Sequence, residues 1–328
     1  MITLDTLRSP LHSGLVAIAV LTLGCAPAND KAAESPAADA PVATEAADQT
    51  PPTLEDFANA TFDTIGQEAF QLTDGKWEGE PFEEGGASVP TAGLLEDFVL
   101  QGDLTGDGAD ESVALLWTNS GGTGTFSYIA AATPGDQGIS ILGTAEIGVR
   151  IQVRSGRIVD GTVELDVVQG GPDDGACCPS QLATRSWTLG PNGLTEGEAE
   201  VTGTLSIAAI EGPEWVLTHF SREEEAPAEP EVTLAFAEGR IAGGSGCNNY
   251  FADVVESQDS PGSFSIGPAG STQMMCPDEA MAIEDRFLKQ LGGADSFYFL
   301  GGKLVINFEL GDDYGSMIFA PREPSLAQ

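Results

Sequence analysis

The oxygen-rich loop at 103–111 holds residue types that suggest metal chemistry. It reads Asp-Leu-Thr-Gly-Asp-Gly-Ala-Asp-Glu, so oxygen atoms recur at alternate positions, and Gly108 permits a sharp turn. Hard cations such as Ca²⁺ prefer ligands of this kind. The predicted calcium ligands are the side chains of Asp103, Thr105, Asp107 and Glu111, the carbonyl of Ala109, and Asp110 as a substitute. The alternative is an empty turn, and any bound calcium would be structural.

The loop is similar to the calcium loops between strands of integrin-type propellers. An EF-hand is a poorer match, because strand-like segments flank the loop and no glutamate occupies its twelfth position. Thr105 stands where an acidic or amide side chain is usual, which predicts weak affinity.

Cysteine usage predicts an oxidising compartment. The chain has five cysteines, namely Cys25, Cys177, Cys178, Cys247 and Cys276. If Cys25 belongs to an export signal, an even four remain, which allow three disulfide pairings.

The adjacent pair Cys177 and Cys178 lies in a loop that follows Gly170-Gly171-Pro172. Metal binding is poorly supported, because neither CxxC spacing nor a nearby histidine accompanies the pair. A redox role for a free thiolate is disfavoured by the acidic surroundings. A vicinal disulfide or a loop staple is therefore expected.

The first 25 residues are typical of a lipoprotein signal peptide. An apolar run leads to Leu-Thr-Leu-Gly-Cys at 21–25, which resembles a lipobox with Cys25 as the acylated residue. Residues 26–52 contain few large apolar side chains and predict a disordered tether. By this resemblance the protein is a lipid-anchored envelope protein, at the outer membrane facing the periplasm. The alternative is an ordinary signal peptide and a secreted soluble binding or inhibitor module.

The overall charge excludes one class of partner. With 51 acidic and 13 basic residues the net charge is −38, so phosphate backbones are repelled and nucleic acid is not an expected partner. Histidine catalysis is nearly excluded, because only His219 remains after the signal peptide, which contains His12. A hydrolase that uses paired carboxylates stays open as a hypothesis, although so many acidic residues make chance pairs inevitable.

The element pattern predicts a β-dominated α+β fold in two domains. Strand-like segments fill an antiparallel β-rich domain at 53–200, including a hairpin of 69–73 and 76–80 across Asp74-Gly75. A second domain at 213–322 alternates strands with one amphipathic helix. That helix has Pro277 at its first position and ends at Gly292-Gly293.

The second domain resembles the META family, the small domain of HslJ-like heat-shock lipoproteins of Gram-negative envelopes. The matching residues are Trp215, Gly246, Cys247, Asn248, Thr272, Met275, Cys276, Glu284, Phe287, Leu291 and the strand at 304–308. The resemblance implies a META-like antiparallel sheet with one packed helix. It also implies a stress-linked envelope role, without an enzymatic reaction, and a periplasmic protein as the possible partner.

Cys247 follows a strand and Cys276 immediately precedes the helix. A disulfide between them would close a loop of about 28 residues and contribute about 3 kcal/mol. A reactive thiol at the helix start is the alternative. Glu284 lies on the apolar stripe of the helix, so its carboxylate needs a donor; it is expected either to cap a nearby backbone group or to line a site.

Overall fold

The computed structural model describes residues 50–65, 69–83, 86–122, 124–136, 138–175, 177–258 and 260–322. These residues belong to one compact unit. The predicted signal peptide, Cys25 and all but the last three residues of the predicted tether lie outside the described ranges. Within those ranges, no helix has the length and apolar character needed to span a bilayer.

Antiparallel strands dominate the described residues, which contain two α-helices, so the predicted fold class is confirmed. The helices are α1 (Leu54–Phe57) and α2 (Asp278–Gly292), with a 3-10 helix at Ile207–Ala209. The strands before the 3-10 helix are β1 (Thr61–Phe62), β2 (Phe70–Gln71), β3 (Lys76–Glu78), β4 (Thr91–Gly102), β5 (Glu111–Asn119), β6 (Thr125–Gly135), β7 (Gly138–Val149), β8 (Gln152–Val159), β9 (Thr162–Gln169), β10 (Gln181–Gly190), β11 (Gly193–Glu196) and β12 (Glu200–Thr204). The strands after it are β13 (Trp215–Ser221), β14 (Glu224–Glu225), β15 (Thr233–Ala237), β16 (Arg240–Gly244), β17 (Asn249–Glu256), β18 (Phe264–Ile266), β19 (Gly270–Ser271), β20 (Ala294–Leu300), β21 (Lys303–Leu310) and β22 (Asp313–Pro321).

Besides the two-stranded pair β1-β2, two five-stranded sheets build the N-terminal part. One has the order β3-β4-β5-β6-β7, and the other has the order β11-β10-β9-β8 with β12 beside β10. β5 is covered on both faces: Val113 and Leu115 join a core with residues of β8 to β10, whereas Ala114 and Leu116 pack into a cluster that contains Phe57 of α1. Burial on both faces explains why β5 reads as an almost continuous apolar run.

The predicted hairpin at 69–80 is wrong in its strand pairing. Asp74 and Gly75 form the expected turn, since both have positive φ, 49° and 78°. The flanking segments separate beyond a single bridge: β2 pairs with β1, and β3 pairs with β4. β3 thereby joins the twelve-residue strand β4, and Phe70 of β2 is buried beside β1, whereas an isolated two-stranded hairpin is only marginally stable.

The C-terminal strands form one sheet in the order β18-β17-β16-β15-β13-β22-β21-β20, with β14 beside β13 and β19 beside β17. The two ends of this order meet. Ser263 forms an antiparallel bridge with Ser296, and the N–H of Phe297 donates to the carbonyl of Gly262 at 2.9 Å. The sheet therefore curls into a nearly closed barrel around its own core.

Helix α2 packs against this barrel, as predicted. Its fully buried side chains Phe287 and Leu291 enter the core, and the Phe287 ring lies 5.3 Å from the ring of Tyr250. Pro277 occupies the N-cap rather than the first helical position, and the helix ends at Gly292. The sequence thus placed the helix correctly to within one residue.

The turn between β20 and β21 contacts the N-terminal sheets. Gly301 has φ of +56°, and a Cβ there would come within 2.6 Å of Leu95 Cδ2. Beside it, Lys303 Nζ lies 2.5 Å from Asp97 Oδ2. The close approach requires glycine at 301, and it joins the two parts of the chain. The predicted domain boundaries, 53–200 and 213–322, remain a prediction.

Candidate functional site

Cys247 and Cys276 meet at one end of the C-terminal barrel. Cys247 lies in the turn between β16 and β17, and Cys276 lies two residues before α2. Their sulfurs are 2.00 Å apart and their Cα atoms 5.9 Å apart. The bond joins a strand turn to the helix start, as the sequence predicts, and Cys247 is buried.

Asn248 connects the disulfide to two further segments. Its Oδ1 accepts from Thr272 Oγ1 at 2.8 Å and from the backbone N–H of Met274 at 2.7 Å. Its Nδ2 donates to Glu284 at 3.0 Å and lies 3.3 Å from Cys247 Sγ. The side chain is buried and both ends of its amide are satisfied, so it fixes the turn, the 272–274 segment and the helix together.

Glu284 supplies the acceptor at the centre of this cluster. One carboxylate oxygen accepts from Ser245 Oγ at 2.5 Å and from the backbone N–H of Asn248 at 2.7 Å. The other accepts from Asn248 Nδ2 at 3.0 Å. Of the two predicted roles, the geometry matches capping of a backbone group. We call Ser245, Cys247, Asn248, Cys276 and Glu284 the disulfide centre.

The turn at Gly246 has a steric reason. This residue has φ of +98°, and a Cβ there would lie 3.3 Å from Ile283 Cγ2 and 3.4 Å from Pro230 Cγ. Any larger residue would meet both backbone strain and the helix side chain. Glycine therefore lets the turn approach α2 closely enough for Glu284 to reach it.

The other matching residues divide into two groups. Trp215 is buried away from the disulfide centre, where its Nε1 donates to the carbonyl of Ile210 at 3.0 Å. Thr272 joins the centre through Asn248. Met275 does not, because its side chain is 90 % exposed. Ser245, fully buried and bonded to Glu284, is the member of the centre that the sequence did not nominate.

The oxygen-rich loop connects β4 to β5, as predicted, but its carboxylates face its own backbone. Asp103 accepts from the N–H groups of Gly106 and Gly108 at 2.6 and 3.0 Å. Glu111, only 2 % exposed, accepts from the N–H groups of Leu104 and Thr105 at 2.8 and 3.1 Å. Each carboxylate thus already serves two backbone donors.

Two further predicted calcium ligands, Asp107 and Asp110, also do not converge with Asp103 and Glu111 on a shared point. Asp107 accepts from the N–H of Ala109 at 2.8 Å, and Asp110 is exposed. Within the described part of the chain, no three His, Cys, Asp or Glu side chains are grouped so that they could hold a metal. Calcium binding stays a prediction.

Cys177 and Cys178 are joined by a disulfide in the loop between β9 and β10, and both residues are exposed. Asp174 closes this loop: one of its oxygens accepts from the N–H groups of Gly171 and Ser180, each at 2.7 Å, and the other accepts from Ser180 Oγ at 2.7 Å. The N–H of Gly171, followed by the Ser180 hydroxyl, lowers the pKa of the Asp174 carboxyl.

A second charged cluster lies on strands β8 to β10. Asp166 accepts from Thr184 Oγ1 at 2.6 Å and from Ser155 Oγ at 2.8 Å, and Arg157 lies 3.3 Å away. Partial burial acts to raise the pKa of Asp166, but the two hydroxyls and the arginines together outweigh it and lower the pKa. The cluster is a charge-compensated contact between neighbouring strands.

Comparison with known proteins identifies the C-terminal part. Residues 208–321 match the family model described as META domain. No curated protein matches the chain. A solved structure described as "NMR structure of the protein from Burkholderia xenovorans" is 21 % identical, covers 39 % of this chain and 96 % of that chain, and superposes with a TM-score of 0.29. By the family model, the C-terminal segment at 208–321 matches the META domain, and the disulfide centre lies within this segment.

Proposed function

We propose that the chain is a non-enzymatic envelope lipoprotein whose META domain works outside the cytoplasm. The observation that supports this proposal is the disulfide centre. A disulfide that joins a strand turn to a helix start, with Cys247 buried and Cys276 half-buried, forms and persists in an oxidising compartment. The lipobox-like segment ending at Cys25 then gives the route of export and the anchor.

The chemistry of the disulfide centre supports a structural role for its polar groups. All three hydrogen bonds of the Glu284 carboxylate go to groups of the centre itself. A general base must face a substrate proton rather than fixed internal donors. His219, the one histidine in the described ranges, has its Nδ1 3.0 Å from Thr218 Oγ1, its immediate neighbour on β13. A stress-tolerance role, or binding of a periplasmic protein, is therefore favoured over catalysis.

Metabolic labelling with a fatty-acid analogue tests the anchor. The full chain should carry the label and sediment with outer membranes, and the Cys25→Ser variant should lose the label and move to the soluble periplasmic fraction. Label retained by Cys25→Ser, or absent from the wild type, would contradict the lipoprotein proposal. A soluble wild-type protein without label would favour the secreted module instead.

A crosslinking pull-down from intact envelopes tests the partner. The wild-type protein and the Cys25→Ser variant form a matched pair, because both keep the folded domains while only one is anchored. A periplasmic protein recovered with the anchored form, and lost when the exposed face around Met275 is changed to serine, would support a binding role. The alternative outcome is that the partner is recovered equally with the anchored form, with the Cys25→Ser variant and with protein whose META-domain cysteines are reduced. That result would count against a specific binding site.

A further inference from the structure

The vicinal disulfide Cys177–Cys178 differs from the disulfide of the META domain in what it constrains. Cys247 and Cys276 are 29 residues apart and join two elements. Cys177 and Cys178 are neighbours, so their bond closes a ring around one peptide unit. Disulfide stabilisation grows with the length of chain that is closed, so the vicinal bond contributes little in this way. Stabilisation by cross-linking therefore does not account for the presence of the vicinal disulfide.

The loop that carries the pair is held by other bonds. Asp174 accepts three hydrogen bonds and ties Gly171 to Ser180, and the N–H of Cys178 donates to the carbonyl of Gly175 at 3.0 Å. At the loop base, Gln169 and Gln181 are paired across β9 and β10. The loop ends thus stay in place whether or not the sulfur–sulfur bond is intact.

The two disulfides also differ in access. Cys177 and Cys178 are both exposed, whereas Cys247 is buried and Cys276 is half-buried, with Asn248 Nδ2 lying 3.3 Å from Cys247 Sγ. Thiol–disulfide exchange requires in-line approach of a thiolate to a sulfur, and exposed disulfides are the labile ones. An external thiolate can reach the first pair without any movement of the core.

We propose that Cys177–Cys178 is a reducible site that exchanges electrons with external dithiols, while Cys247–Cys276 remains oxidised. The reactive thiolate belongs to the dithiol, so the acidic surroundings, which disfavour a thiolate on this chain, do not exclude the reaction. The disulfide acts as the electrophile.

The exchange balances in two steps. A thiolate of the dithiol attacks one sulfur of the pair; a mixed disulfide forms, the Cys177–Cys178 bond breaks, and the released cysteine takes a proton from water. The second thiol of the dithiol then loses its proton and attacks the mixed disulfide, which releases the other cysteine. The dithiol ends as a disulfide, and two electrons and two protons have passed to the loop.

The loop that carries Cys177 and Cys178 lies next to the chain segment that precedes the META domain. The carbonyl of Ser180, the last residue of the loop, accepts from the N–H of Leu205 at 2.7 Å. Leu205 is 4 % exposed and belongs to the core cluster of the C-terminal barrel. The redox site therefore lies beside the segment by which the chain enters the META domain.

Graded reduction of the folded, oxidised full chain tests this proposal. The protein is incubated with stepwise increasing dithiothreitol, quenched with acid, alkylated, and mapped by peptide mass spectrometry. Cys177 and Cys178 should become alkylated at a reductant concentration at least about tenfold below that needed for Cys247 and Cys276, with circular dichroism unchanged. The proposal is overturned if both disulfides open together, if the META disulfide opens first, if the vicinal pair resists until the chain unfolds, or if Cys177 and Cys178 are alkylated before any reductant is added.

A variant separates this role from a structural one. The double change Cys177→Ser and Cys178→Ser should remove the low-concentration step and leave the melting temperature unchanged. The matched control is the double change Cys247→Ser and Cys276→Ser, which should lower the melting temperature clearly. A loss of stability in the first variant as large as in the second would identify the vicinal pair as a staple and refute the redox proposal.

Discussion

Glu284→Gln tests the disulfide centre with the least change of shape. Both carboxylate oxygens accept hydrogen bonds: one from Ser245 Oγ and the backbone N–H of Asn248, and the other from Asn248 Nδ2. A glutamine has one oxygen and one amide donor. Whichever way the amide is oriented, its NH₂ group must face a donor of the protein.

The magnitude follows from the bonds that are lost. The better orientation keeps the oxygen towards Ser245 and the backbone of Asn248, so one charge-assisted bond is lost and two become neutral. Bonds to charged groups contribute about 1.5–3 kcal/mol and neutral ones about 1 kcal/mol, so with the lower value for a charged bond the loss is about 2.5 kcal/mol. Glu284 is half-buried, so water recovers part of this, and we expect a loss of about 2 kcal/mol in the free energy of unfolding.

Chemical denaturation of the oxidised protein, followed by tryptophan fluorescence, measures this loss. In a parallel thermal melt, the melting temperature should fall by about 4–8 °C, at about 2–4 °C per kcal/mol for a unit of this size. Asp285→Asn is the matched control, because it removes the same charge from the next, exposed position of α2 and should cost less than about 0.5 kcal/mol. If Glu284→Gln is no more destabilising than Asp285→Asn, the assignment of Glu284 to a structural centre is wrong.

Three further predictions concern the rest of the molecule. Gly301→Ala should lower the free energy of unfolding by about 2–3 kcal/mol in a urea titration, since the added methyl group would meet Leu95 at a positive φ. The control Gly311→Ala has a similar φ of +69° in open space and should lower it by only about 1 kcal/mol. Equal losses would refute the close contact. The native pKa of Asp166 lies below its unfolded value, so its carboxylate stabilises the fold above about pH 4 and this contribution disappears as the pH falls through the native pKa. Melting temperatures of Asp166→Asn and the wild type should therefore converge in acid, and a pH-independent difference would contradict the assignment. If the loop at 103–111 holds calcium, calorimetry should show a higher melting temperature with calcium than with chelator, and Asp103→Asn should abolish the difference; identical unfolding of the wild type in both conditions removes the calcium prediction.

The sequence predicted best where local pattern and long-range packing agree. The apolar stripe and terminal glycines of α2 place the helix to within one residue, and the positions of Cys247 and Cys276 beside a strand turn and the helix start predict their contact. Ser245 was missed, because a serine in a glycine-rich turn has many ordinary explanations. Its role depends on Glu284, 39 residues away, and only the folded chain brings them together.

Two other features depend on which of several partners a group or strand selects in the folded chain, and the local sequence does not contain that information. The spacing of oxygen atoms at 103–111 identifies the available acceptors. It does not show that Asp103 and Glu111 accept hydrogen bonds from backbone N–H groups of the loop. The turn at Asp74-Gly75 was predicted, but the partners of the flanking strands were not: β2 pairs with β1, and β3 pairs with β4. In both cases the sequence indicates which groups are present, and the fold decides their partners.

The most direct test of the central claim is a cysteine map of the protein recovered from the cell envelope, with free thiols blocked during lysis and no reductant present. If the disulfide centre forms in the cell, the map should contain one linked peptide pair that joins Cys247 to Cys276, and neither residue should carry the blocking group. Blocking groups on both residues in the folded protein would contradict the centre and the oxidising compartment inferred from it.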